Sequence, residues 1–125
     1  MSFEDFTEMP VWQHAFKLLT RIYYITKDFP SEEKFGLVSD MRRAANSIVH
    51  NIAEGYGRTE TKDKTRFYKI SRGSGYELIS QLLVSHELRY LVNKTELKEL
   101  IDAAKNIAHE LNSLIKALES KQSKP

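Results

Sequence analysis

Val11, Ala15, Leu18, Ile22, Ile25 and Phe29 recur at steps of four and three residues. That period places them along one side of a helix. Pro10 stands just before them, where a first helical turn tolerates proline. Trp12, Phe16, Leu19 and Tyr23 form a second apolar stripe beside the first. After the break Phe29-Pro30-Ser31, with Ser31 as the expected cap, Leu37, Met41, Ala44, Ile48 and Ile52 repeat the pattern. Arg43, Ser47, His50 and Glu54 occupy the opposite face, and Gly55 stands where a helix end commonly needs φ > 0.

The third segment carries two apolar faces. One reads Phe67, Ile70, Ser71, Ser74, Leu78, Leu82, Ser85 and Leu88, the other Tyr68, Tyr76, Ile79, Leu83 and Tyr90. Thr95 is the expected cap of the fourth segment, with Glu96 in its first turn. Leu97, Ile101, Ala104, Ala108, Leu111, Ile115 and Leu118 follow, widened by Leu100, Ile107 and Leu114. No segment alternates with strand period. The pattern predicts helices over 10–28, 32–54, 60–91 and 95–119 and a disordered tail at 120–125. Short links between helices of this length predict an all-α fold, an antiparallel up-down-up-down four-helix bundle, as one domain over 1–125.

A bundle helix needs one apolar stripe, yet the first and third segments carry two. The surplus face holds Trp12, Phe16, Tyr23, Tyr76, Leu83 and Tyr90. Left exposed, these residues make a patch of the kind that marks an interface, and interface cores favour aromatic side chains. The expectation is a homo-oligomer; the alternative is a wider core that absorbs both stripes. Gly73 and Gly75 interrupt the third helix, at about 0.8–1 kcal/mol each relative to alanine. Close approach of a neighbouring helix explains them, or backbone access for a ligand.

Composition changes this picture little. The chain has 125 residues, 41% of them hydrophobic and 29% charged, which is ordinary for a globular domain. No apolar run reaches the ~18 residues of a membrane span, and the acidic start Met1-Ser2-Phe3-Glu4-Asp5 does not read as a secretion signal. With no cysteine, the expectation is a cytoplasmic protein without membrane partners.

The candidate chemistry is sparse. A di-iron bundle site needs Glu-x-x-His pairs. The residues three before His14, His50, His86 and His109 are Val11, Ser47, Leu83 and Asn106. His50 and Glu54 alone supply too few ligands for a metal site. Gly73-Ser74-Gly75 lies in a helical pattern rather than at a strand-to-helix elbow, and Gly55-x-Gly57 lacks a third glycine and a preceding strand. The reading is a non-enzyme with no metal and no cofactor.

Charge is more informative. The net charge is only +2, but residues 42–72 hold eight Lys/Arg against three Asp/Glu. On a helical wheel Lys62, Arg66 and Lys69 share one side, with Arg72 flanking and Arg58 just before the helix. Such a stripe suits phosphates, each contact releasing counterions. Tyr56 is a candidate for base stacking, and Lys64 points elsewhere. A solvated helix face is the plain alternative.

Several ordered motifs carry a resemblance. They are Val11-Trp12-Gln13-x-Ala15, Phe29-Pro30-x-x-Glu33-x-Phe35-Gly36-Leu37 and Arg42-Arg43-Ala44-Ala45-x-Ser47-Ile48. Asn51-Ile52-Ala53-Glu54-Gly55-x-Gly57-Arg58, Arg66-Phe67, Gly73-Ser74 and Glu77-Leu78 continue the series. The chain resembles the four-helix bundle family encoded within intervening sequences of bacterial 23S ribosomal RNA genes, whose members are often labelled ribosomal proteins. It departs from the family at Val49-His50, where a proline is common, and at Gly75, where a larger residue is usual. The resemblance implies bundles assembled into rings of five. A related branch serves as accessory protein to the reverse transcriptase of diversity-generating retroelements and binds RNA and the polymerase through a positive surface. The expected partners are therefore further copies of the chain, RNA and a protein partner. Arg42, Arg43 and Arg58 match the family pattern and suit either RNA contact or a structural pair, since a guanidinium serves both.

Overall fold

The computed structural model describes residues 4–123. Its helices are α1 (Pro10–Thr26), α2 (Leu37–Gly57), α3 (Thr61–Glu87) and α4 (Lys94–Ser123), with 3-10 turns at Phe6–Glu8 and Ser31–Glu33. The four helices form the expected antiparallel bundle. Both α1 and α3 pack on α2 and α4 but not on each other, so they stand diagonally opposed. The tail expected from Ser120 is helical as far as Ser123, and residues 124–125 lie outside the described residues.

The local chemistry explains the helix ends. Met9 is extended, and Pro10 takes the first helical position, where its missing N–H costs nothing. α2 starts later than the Ser31 signal implied. Ser31 opens a 3-10 turn instead, and the Glu33 carboxylate accepts the Leu37 N–H at 3.1 Å, capping α2 from outside. α3 ends at Glu87 rather than near 91. Arg89 adopts φ 67°, the Tyr90 N–H reaches the Ser85 carbonyl at 2.9 Å, and the Arg89 N–H reaches the His86 carbonyl at 3.0 Å. This is a Schellman-like ending with an arginine where glycine is usual. At the start of α4 the cap is Asn93 and not Thr95, since the Asn93 side chain accepts the Glu96 N–H at 3.0 Å.

The core confirms the α1 stripe from Val11 to Phe29 and buries Met41, Ala44, Ile48 and Ile52 of α2. In α4 the deepest row is Leu100, Ala104, Ile107, Leu111 and Ile115, so Leu100 and Ile107, expected only to widen the stripe, lie at its centre. α3 is turned relative to expectation. Its buried residues are Thr65, Tyr68, Ser71, Gly75, Leu78, Leu82 and Ser85, whereas Ile70 and Leu88 are exposed and Phe67 is only half-buried. Small side chains let α3 lie close to α2. The Ser71 hydroxyl donates to the Ile48 carbonyl at 2.7 Å, and Ser47, expected on an outer face, meets Ser74 at 2.7 Å across the same seam.

Two glycines change meaning. Gly55 lies inside α2 without positive φ. A Cβ there would stand 2.6 Å from the Tyr68 ring, so close approach is what demands glycine. A Cβ at Gly73 would meet nothing within 4 Å, so no neighbouring helix of the same chain explains that glycine, while one at Gly75 would only just touch the Ala104 carbonyl. Gly55→Ala should lower unfolding free energy by about 1–2 kcal/mol through overpacking. Gly73→Ala should raise it by about 0.8–1 kcal/mol through helix propensity. Urea denaturation of the two variants checks both signs.

Burial pushes the Tyr68 phenol up to about 12, with nearby Tyr56 adding to the effect. The folded state therefore favours neutral Tyr68, and its contribution is intact below the ordinary tyrosine value near 10. As pH climbs from about 10 to 12 the unfolded chain ionises first, and stability falls by about 1.4 kcal/mol per pH unit from this group. Urea midpoints measured at about pH 9 and 11 should drop less for Tyr68→Phe than for the natural chain.

Candidate nucleic-acid interface

The basic run straddles the turn from α2 into α3, and the fold sorts its cations into two groups. One group is committed to the bundle. Arg42 lies against the C-terminus of α1, donating from Nε to Thr26 Oγ1 at 3.0 Å and from Nη2 to the Tyr23 carbonyl at 3.3 Å. Its guanidinium also covers the Tyr23 ring at 4.6 Å. Arg72 reaches across to α4 and donates to Asn112 Oδ1 at 2.9 Å. Lys64 caps the end of α2, donating to the Gly55 and Tyr56 carbonyls at 3.2 and 2.8 Å, and burial lowers its pKa. A cation at a helix C-terminus meets the negative end of the dipole.

The other group faces outward. Arg58 and Arg66 both lie against the Phe67 ring, at 4.7 and 4.5 Å, so Phe67 serves as a platform for two guanidiniums rather than as core. Lys62, Thr65, Arg66, Lys69, Ile70 and Glu119 line a groove of about 670 Å³ where α3 passes the end of α4. Several cations have acidic neighbours: Arg58–Glu54 at 2.9 Å, Arg66–Asp63 at 3.8 Å and Lys69–Glu119 at 2.9 Å. All these pairs are solvent-exposed, and such pairs contribute only about 0.2–1 kcal/mol, so a phosphate can compete for the cations. Lys62 has no ion-pair partner among the described residues. Arg43 is 74% exposed and pairs with Asp40 at 3.4 Å, well away from the groove.

The fold thus brings together Arg58, Lys62, Arg66 and Lys69, and holds Arg42 and Arg72 in bundle contacts. Tyr56 is half-buried against the core with the Lys64 ammonium 5.7 Å from its ring centroid, which leaves it poorly placed for base stacking. Sequence reasoning missed Glu119 and the Phe67 platform. Glu119 is fifty positions from Lys69, so no local spacing signals their meeting. For the platform, the available signal was an arginine directly before Phe67 and another nine positions earlier, at the end of α2.

The surplus apolar residues separate in a similar way. Trp12 is half-buried, stacked on Phe16 at 5.1 Å and edge-on to Phe6 at 5.2 Å. Tyr90 packs on Phe29 at 5.4 Å, and its hydroxyl donates to Glu33 at 3.0 Å. Phe16 and Tyr23 of α1 and Tyr76 and Leu83 of α3 are exposed, joined by Ile70 and Val84 of α3 and by Leu88 just after it. The wider core therefore absorbs Trp12 and Tyr90 and leaves two apolar patches on diagonally opposed helices. No helix among the described residues is long and apolar enough to cross a membrane.

Fold and surface define a four-helix bundle with one cationic strip and two apolar faces. A family model described as 23S rRNA-intervening sequence protein matches residues 7–113, and the chain belongs to that family. It is also similar in fold to the crystal structure of a protein of unknown function from the S23 ribosomal protein family of Bacteroides thetaiotaomicron VPI-5482. That match has a TM-score of 0.76 and 19% identity and covers 85% of this chain and 98% of the other. No curated protein matches the chain.

Proposed function

We propose that this chain is a non-catalytic protein that assembles into a ring, five copies by the family resemblance, and binds structured RNA through Arg58, Lys62, Arg66 and Lys69. The observation that carries the reading is the outward placement of Arg58 at the end of α2 and of Lys62, Arg66 and Lys69 in the first half of α3, the last three lining the groove with Glu119. Three lines of chemistry support it. Lys62, in the first turn of α3, lies where the positive end of that helix dipole also favours an anion. The guanidiniums are held in place on Phe67, which suits bidentate contact with phosphate oxygens. A ring repeats the strip once per subunit, turning a weak patch into a multivalent one. Such contacts read backbone rather than base, so binding tolerates sequence and weakens steeply with salt.

RNA binding across a salt series tests this. Charge reversal at Lys62, Arg66 and Lys69 should abolish binding without unfolding the protein, each lost contact removing about 0.9 from the log–log salt slope on duplex. Glu119→Gln should tighten binding by freeing Lys69. Salt-insensitive binding, or no binding by the natural chain, sinks the proposal.

The ring rests on the two exposed apolar patches. They differ from each other and sit on diagonally opposed helices, which suits a heterologous contact that closes in a circle. The natural chain should sediment near five times the 14.5 kDa of one copy, and Tyr76→Glu with Leu83→Glu should reduce it to single chains. A natural chain that sediments as one copy removes the ring from the proposal.

The exposed α3 patch also favours a second reading, an interaction scaffold that docks a protein such as a polymerase, with RNA incidental. Stoichiometric recovery of one protein after nuclease treatment, by a ring that fails to bind RNA, would select it.

A further inference from the structure

The α1–α4 seam is the least closely packed of the four and holds a groove of about 500 Å³. A hydrogen-bonded pair and an ion pair bracket it. At one end His14 Nδ1 lies 2.7 Å from Glu110 Oε2, and at the other Arg21 Nη2 lies 3.1 Å from Glu99 Oε1. His14 and Arg21 are seven residues apart, two turns of α1, so the opening between the bridges is roughly 10 Å long. Its floor is Leu18 of α1 and Ala103 of α4. Ala103 faces the space with a single methyl, so the groove stays unfilled where a larger side chain would close it.

The walls carry polar groups that the bundle does not use, one of them a lysine. Lys17 lines the groove from α1, and Asn106 and His109 line it from α4. None of the three side chains has a hydrogen-bond or ion-pair partner among the described residues. The one carboxylate of the lining, Glu110, is engaged by His14. Unused donors therefore stand above an apolar floor, and no free acid in the lining offsets them. The volume lies within the usual range of small-molecule sites, about 300–1,000 Å³, and the mix of apolar floor and a few polar groups is typical of them.

We propose that the α1–α4 groove binds a small organic anion, with an apolar body on Leu18 and Ala103 and its charged group between Lys17, His109 and the Asn106 amide. The site lies on a different seam from the α3 strip and does not depend on RNA binding.

Anilinonaphthalene sulfonate, an apolar body with one anionic group, is a direct probe. Calorimetric titration of the folded protein at neutral pH should show saturable binding of about one probe per chain, as expected of a single built site. Lys17→Glu with His109→Glu should weaken it at least about tenfold, a loss of about 1.4 kcal/mol. Ala103→Trp should weaken it by as much through filling the groove. Phe35→Glu, which removes an exposed aromatic ring outside the groove and outside the two apolar patches, should leave it unchanged, and the uncharged phenylnaphthylamine should bind at least about tenfold more weakly. The proposal is overturned if no saturable binding occurs, if binding survives Lys17→Glu with His109→Glu, if Phe35→Glu removes it, or if the neutral probe binds equally well. Should Ala103→Trp fail to fold, the surface substitutions at Lys17 and His109 decide the matter alone.

Discussion

The close seam between α2 and α3 sets the rest of this structure. Along it Gly55 admits the Tyr68 ring, Ser71 donates to the Ile48 carbonyl, Ser47 meets Ser74, and the Ser85 hydroxyl lies 3.3 Å from Met41 Sδ. Each contact needs a small residue on at least one side. Together they fix how far α3 is rotated about its own axis, because a turned helix would bring Phe67 or Ile70 against α2 instead of serine and glycine. Hydroxyls buried here are tolerable because each finds a partner; an unpaired one would cost about 1–3 kcal/mol. The rotation then decides which residues look outward, and those include Arg66 and Lys69 in the first half of α3 and Tyr76, Leu83 and Val84 in the second.

A second regularity follows from the up-down path. The last carbonyls of α1 receive a cation from α2, namely Arg42, and those of α2 receive one from α3, namely Lys64. Helix ends leave carbonyls unsatisfied, and a cation supplies both hydrogen bonds and favourable charge. In an antiparallel hairpin the next helix starts beside those carbonyls, so its early residues are well placed to cap them. Part of the positive charge between residues 42 and 72 is therefore explained by the bundle itself. Net charge along a sequence overstates the charge offered to a partner whenever such caps are included.

This sorting shows what was legible in the sequence. The α1 and α4 stripes stood out because large aliphatic residues mark one side of each helix with little competition. The surplus of aromatic residues on α1 and α3 was equally plain, although only the fold could assign Trp12 and Tyr90 to intrachain packing. Ser71 and Ser85 were rightly placed on the inner side of α3, but the helix is turned so that Thr65, Tyr68 and Gly75 join them there, and Thr65 and Gly75 are residues a hydrophobicity pattern counts as polar or neutral. Gly55 gave a correct signal with the wrong cause, since a close approach and a left-handed turn both call for glycine. Ser31 and Thr95 were plausible caps displaced by rivals: Glu33 reaches in from a 3-10 turn, and Asn93 stands in the adjacent loop. Within the candidate site, the shared face of Lys62, Arg66 and Lys69 follows from helical period alone. The Lys69–Glu119 pair does not, because it depends on how α4 runs back along α3.

The two halves of α3 impose different demands on an assembly. A subunit contact on Tyr76 and Leu83 would remove apolar area from water at about 25 cal/mol per Å², whereas burying the Arg58–Arg66 strip in the same contact would strip water from both cations and from their partners Glu54 and Asp63. The less costly arrangement packs the second half of α3 against a neighbour and leaves the first half at an edge. In the proposed ring that edge would be a rim, and the strips would repeat around it once per subunit. The exposed Gly73 sits between the two halves, at the point where a neighbouring backbone could come close without meeting a side chain. If the proposed ring forms, the glycine that the single chain leaves unexplained, the apolar second half of α3 and the outward cations of its first half share one cause, the division of a single helix between a subunit contact and an electrostatic surface.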